Sequence, residues 1–180
     1  MLRWLINKRL NAAEKKLGVP VDYLRHLAKV SLPAFFKFIK FMPLAEYRNK
    51  LPVEPYHVAR LVAVLKEDRG TCVQIEVNLA KLDGVSTDLL QTVLDGKAEA
   101  LPKDLENVYR FAEAVVTQTD DLELRETMRQ QYGEEGTIEL ALTIAACRVF
   151  PTLKRGMGYA TSCSKVNVVL KQITGSDWPT

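Results

Sequence analysis

Glu67-Asp68-Arg69-Gly70-Thr71-Cys72-Val73-Gln74-Ile75-Glu76 is the stretch on which the reading of the fold turns. It separates two runs of helical periodicity. Before it, Pro55 opens a run with Ala59, Leu61, Val62, Val64 and Leu65 apolar. After it, Val73, Ile75, Val77, Leu79 and Leu82 lead to Gly84, a residue suited to ending a helix. The pattern predicts two helices joined by a short break, with Cys72 at the start of the second.

Upstream, Leu2, Leu5, Ile6, Leu10, Ala13 and Leu17 fall at helical spacing, and Gly18 is a natural stop. Asp22 is expected to cap a short helix that turns Tyr23, Leu24, Leu27 and Val30 inward. Ser31 and Pro33 restart the chain into Phe35, Phe36, Phe38, Ile39, Phe41 and Met42, interleaved with Lys37 and Lys40. Pro43 is expected to bend or end that segment. Lys50 to Pro55, with two prolines, reads as a linker.

Downstream, Ser86 caps a short helix closed by Asp95-Gly96, and Pro102 opens a longer one. Asp120 or Asp121 starts another, expected to end before Gly133. A last long pattern begins at Gly136-Thr137, with a kink expected at Pro151 and a continuation to about Cys163. Val166 to Ile173 reads as a final helix or an extended tail. No strand pattern competes, so the chain reads as all-α.

The net charge of +3 hides an asymmetry. Residues 1–50 hold eleven Lys/Arg and three Asp/Glu, so +8; the remaining residues hold fourteen and nineteen, so −5. Such a basic front fits docking on an acidic body, an anionic partner or a membrane surface. Packing within its own domain or on a sister subunit is the commoner arrangement for a helix like residues 2–17, and aromatics at helical spacing read as core or interface. Nucleic-acid binding and membrane association are therefore not expected. No run reaches the roughly 18 apolar residues of a spanning helix. The three cysteines, Cys72, Cys147 and Cys163, are odd in number and widely spaced. Without a signal-like N-terminus they predict a reduced, cytoplasmic chain. No His or Cys pair has metal-ligand spacing and Gly156-Met157-Gly158 is no phosphate loop, so no metal or cofactor is expected.

Helix, short break, cysteine motif, helix, a glycine twelve residues past the cysteine, then a Ser-capped helix: over residues 50–165 this order resembles the alkylhydroperoxidase AhpD-like and carboxymuconolactone decarboxylase superfamily. The resemblance implies an AhpD-like helical bundle with an N-terminal helical extension. Residues 1–50 would form the basic extension, 51–165 the core and 166–180 a tail. The family's thiol motif is a glutamate, eleven residues, C-x-x-C, three residues and a histidine. The Gly84-Val85-Ser86 spacing puts Cys72 at the second cysteine, the thiol that attacks peroxide in the family. Arg69 then stands at the first cysteine, Glu76 at the histidine and His57 at the glutamate. A dithiol cycle within the motif is impossible in this chain. The resemblance implies a homo-oligomer and, if the site turns over, a single-cysteine peroxidase or reductase served by an external thiol. The alternative is a family member that has lost catalysis and acts as a binding or structural oligomer.

The residues themselves support chemistry of that kind. A cysteine at a helix start, three residues after an arginine, has two influences that favour thiolate. Glu67, Asp68 and Glu76 oppose it. Glu76 shares a helical face with Cys72 and could move protons, as could His57 from the preceding helix. The competing reading is a buried cysteine beside ordinary ion pairs, Arg69 with Glu76 or Asp68. Cys147 reads as core, and either it or Cys163 could resolve an oxidised Cys72 if packed nearby.

Overall fold

The computed structural model describes residues 1–67, 70–119 and 121–159. Among these residues there are helices and no strands, so the chain is all-α. The helices are α1 (Leu2–Leu17), α2 (Asp22–Val30), α3 (Leu32–Ile39), α4 (Met42–Ala45), α5 (Val53–Glu67), α6 (Thr71–Leu82), α7 (Thr87–Leu94), α8 (Lys103–Thr117) and α9 (Leu122–Gly156). A 3₁₀ turn at Ala98–Ala100 lies between α7 and α8.

Local chemistry sets several of these ends. Gly18 takes the left-handed conformation (φ 68°) that closes α1, and its N–H bonds Glu14 O at 2.8 Å. A Cβ there would meet Asn78 Nδ2 at 2.8 Å, so both shape and φ select glycine. Three side-chain oxygens cap helices by accepting a backbone N–H: Ser31 from Ala34, Ser86 from Leu89 and Asp121 from Leu124.

α5 lies at the centre. Every residue from Pro55 to Val64 is buried, because the helix packs on α6, α7, α8 and α9 together. The main core gathers around it, with Leu61, Val62, Leu90, Leu105, Met128, Leu140 and Ile144 almost fully enclosed. A second cluster is built by Ile6, Leu10, Val21, Tyr23, Leu24, Ala28 and Phe35 from the first three helices and the α1–α2 turn. Its seam with the main bundle is aromatic. Phe38 and Phe41 meet Phe150 of α9 at 5.7 and 5.8 Å between ring centres, and His26 bonds the Tyr159 hydroxyl at 2.8 Å.

Several boundaries differ from expectation. Asp22 is the first helical residue rather than the cap, and Val30 is exposed rather than inward. Pro43 sits in the first turn of α4, where a missing N–H costs nothing, so it opens a helix instead of ending one. The end expected before Gly133 is met, since Gly133 (φ 73°, ψ 177°) breaks the helical path of α9, but the second part starts directly after it rather than at Gly136. Pro151 keeps helical geometry and α9 runs through to Gly156. An 18-residue window of α9 has a mean hydropathy of 1.3, enough by length and composition to cross a membrane, contrary to the sequence reading. Half of that window is packed inside the bundle, as in the core helix of a helical domain. The segment 166–173 and Cys163 lie outside the described residues.

A buried carboxylate ties down the start of the stretch that reads as a linker. Glu139 of α9 is 2% exposed, and its carboxylate accepts from the N–H groups of Asn49, Lys50 and Leu51 at 3.0, 2.8 and 3.1 Å. Leu51 is thereby fixed in the main core. Truncation by Glu139→Ala strands three donors, and urea unfolding should show a loss of about 3 kcal/mol. Glu139→Gln keeps one accepting oxygen and should lose clearly less.

Candidate functional site

Between the second cluster and α5, α6 and α9 lies a cavity of about 400 Å³, walled mainly by apolar side chains such as Leu10, Leu24, Ile39, Val64, Leu79 and Phe150. Four groups of chemical interest share its wall: Cys72, Arg60, Glu76 and Cys147. Arg9, Lys16 and Glu46 stand where it meets the surface.

Cys72 is the second residue of α6 and only 4% exposed. Its sulfur lies 3.5 Å from the ammonium nitrogen of Lys154, near the far end of α9. The same ammonium bonds the Thr71 hydroxyl. Lys154 is itself 6% exposed, so this cation reaches a thiol through little water. A helix N-terminus and a lysine thus both favour negative charge on Cys72. Tyr23 packs close by; burial pushes its phenol up, and the neighbouring Cys72 adds to the rise.

Two of the carboxylates that oppose a thiolate in the sequence, Glu76 and Glu67, are answered by arginines. Glu76 is gripped by Arg60, with Nε and Nη2 donating to its two oxygens at 2.6 and 2.9 Å. Arg60 Nη1 donates further to Ala45 O and to the Tyr56 hydroxyl. Glu67 at the end of α5 accepts from Arg148 at 2.7 Å and also meets Arg155.

Of the residues singled out from sequence, the structure brings Cys72 and Glu76 to one wall. Glu76 is committed there to a buried ion pair with Arg60. His57 goes elsewhere. Its Nε2 bonds Asp83 at 2.9 Å, and its Nδ1 is buried without a hydrogen-bond partner among the described residues. Burial is the main cause of a lowered His57 pKa, which the bond to Asp83 only partly offsets. Arg69 and Asp68 lie outside the described residues. Cys147 is core, as its apolar surroundings indicate; burial pushes its thiol up to about 12, and nearby Glu76 adds to this. That keeps it protonated and a poor resolving nucleophile.

Lys154 was missed because nothing local marks it. Arg60 did leave a signal: a charge inside the run Val58-Ala59-Arg60-Leu61-Val62 must find a partner or leave the core. Glu76, between Ile75 and Val77, poses the same demand. Comparison of the chain with protein-family models, with curated proteins and with solved structures finds no match in any of the three.

Two outcomes check this geometry. Arg60→Met leaves the Glu76 carboxylate buried and unpaired and should cost about 3–5 kcal/mol in chemical unfolding, whereas Arg60→Met with Glu76→Leu should recover much of it. His57 has a folded pKa below its ordinary 6.5. Its contribution is complete above pH 6.5 and is lost as pH falls through the folded pKa, because the unfolded chain takes up the proton first. His57→Gln should flatten that acid-side slope in a pH series of unfolding midpoints.

Proposed function

We propose that the protein is an AhpD-like, single-cysteine, thiol-dependent peroxidase that reduces an apolar hydroperoxide at Cys72. The observation that carries this reading is the placement of the Cys72 sulfur in the wall of a mainly apolar cavity with the Lys154 ammonium 3.5 Å away. A cavity of this volume suits a small organic molecule. The order α5, break, α6 with Cys72 in its first turn, Gly84 and a Ser86-capped α7 supports the family reading.

The chemistry needs few groups. The Cys72 thiolate attacks the terminal oxygen of R–O–O–H, and the O–O bond breaks. The departing alkoxide takes a proton from the Lys154 ammonium or from water and leaves as the alcohol, with Cys72 oxidised to sulfenic acid. An external thiol then attacks that sulfur, releasing water and forming a mixed disulfide. A second external thiol frees Cys72 and carries away the disulfide. Outward-facing Leu122, Ile138 and Val149 on α9 support the expectation of a homo-oligomer.

A second reading, binding without turnover, is favoured by the commitment of Glu76 to Arg60 and of His57 to Asp83. Neither is placed as a proton relay. The two readings part under one set of assays. With cumene hydroperoxide and dithiothreitol, wild type should consume peroxide and trap a sulfenic-acid reagent at Cys72, and Cys72→Ser should do neither. Lys154→Met should slow the reaction about 100-fold. Cumene hydroperoxide should surpass hydrogen peroxide about tenfold in kcat/KM through apolar burial. If Cys72→Ser consumes peroxide as fast as wild type, while a fluorescent apolar probe still binds the cavity, the binding reading stands in place of the peroxidase.

A further inference from the structure

The inward face of α1 is accounted for, and its outward face is not. Ile6 and Leu10 are buried, with Ala13 and Leu17 continuing the same stripe one and two turns on. Leu2, one turn before Ile6, is 50% exposed, and on the other side Trp4 and Leu5 are 64% and 50% exposed. Lys8, Arg9, Ala12, Lys15 and Lys16 extend that outward side toward the C-terminus, all of them exposed. Trp4 and Lys8 are one turn apart, and the Lys8 ammonium stands 5.4 Å from the Trp4 ring centre. The acidic residue of the helix, Glu14, is taken by Arg25 and by the Val21 N–H, so it does not offset the lysines outside. The sequence reading set this helix against its own domain; the structure does so with one face only.

We propose that this outward face docks on an anionic lipid bilayer. An indole and two leucines beside a row of lysines and arginines match an acyl boundary beneath phosphate headgroups. The rings and alkyl groups enter the interface, and the cations meet the phosphates. Charge complementarity selects this occupant. A second copy meeting the face with the same face would bring the same cations against it. An acidic protein would answer the cations and leave the leucines and Trp4 to find separate apolar contacts. Arg9 and Lys16 connect the face to the cavity, since both also stand at the cavity's rim. A bilayer bound to α1 therefore lies beside the opening through which an apolar molecule reaches the interior. The surface does not depend on the chemistry assigned to Cys72.

The test is flotation of the full chain with vesicles of phosphatidylcholine alone and with about a third phosphatidylglycerol. Emission of Trp4 is read in a Trp178→Phe background. The chain should float with the anionic vesicles, and Trp4 emission should shift to the blue. Half-molar salt should weaken binding about tenfold or more. Trp4→Glu with Leu5→Glu should abolish flotation while leaving the thermal midpoint unchanged, and Cys72→Ser should float like wild type. The proposal is overturned by failure to float on anionic vesicles, or by flotation that the paired Glu substitutions leave intact. It is equally overturned if those substitutions convert an oligomer to a monomer in sedimentation while the wild type ignores lipid, which would make the face an interface between copies.

Discussion

The Arg60–Glu76 pair constrains the site more than any other contact. Each partner is nearly enclosed, and a charge moved from water into a protein interior costs several kcal/mol unless its partners are in place. Arg60 meets this demand with three elements at once: Glu76 from α6, the Ala45 carbonyl from α4 and the Tyr56 hydroxyl from its own helix. The guanidinium also stacks 5.1 Å from the Tyr56 ring centre. Such a planar fork tolerates little displacement. Because Cys72 precedes Glu76 by four residues on α6, fixing Glu76 also fixes the face that Cys72 presents. The ion pair thus sets the aim of a thiol it does not touch.

That aim matters because the two hydrophobic clusters do not merge everywhere. They meet through Phe38, Phe41 and Phe150 on one side and leave an apolar hollow on the other. Around the hollow, Glu76 and Glu67 are each held by arginines, and Lys154 comes from α9 to the Cys72 sulfur. Cys147 faces the same hollow with its sulfur against the Ile144 and Arg60 carbonyls. Two thiols in one wall are therefore chemically unequal, one beside an ammonium and the other beside carbonyl oxygens.

Much of this architecture is written locally. Gly18, Ser31, Ser86 and Pro102 mark helix ends because capping chemistry acts over three or four residues, and a single sequence displays that range in full. The break before Cys72 and the core placement of Cys147 are legible for the same reason. Contacts that span the chain are not. Glu139 serves the backbone of residues 49–51 and Lys154 serves Cys72, across separations that no periodicity encodes. Pro43 and Pro151 misled because a proline's effect depends on where a helix begins and on what packs beside it. His57 and Glu76 fell at suggestive spacing from Cys72, yet each found a stronger electrostatic partner in three dimensions.

The anchoring of α1 is uneven along its length. Its last turn is tied down by Glu14 to Arg25 and to the Val21 N–H, and by Asn78 donating to Leu17 O at 2.7 Å. Its first half is held by the buried side chains of Ile6 and Leu10. α1 buries two of its sixteen residues, whereas α5 buries ten of fifteen. Local opening is cheapest where few apolar contacts are lost, so α1 is the part of the cavity wall that opens at least cost. The cavity wall is therefore uneven in stiffness, soft along α1 and rigid along α5.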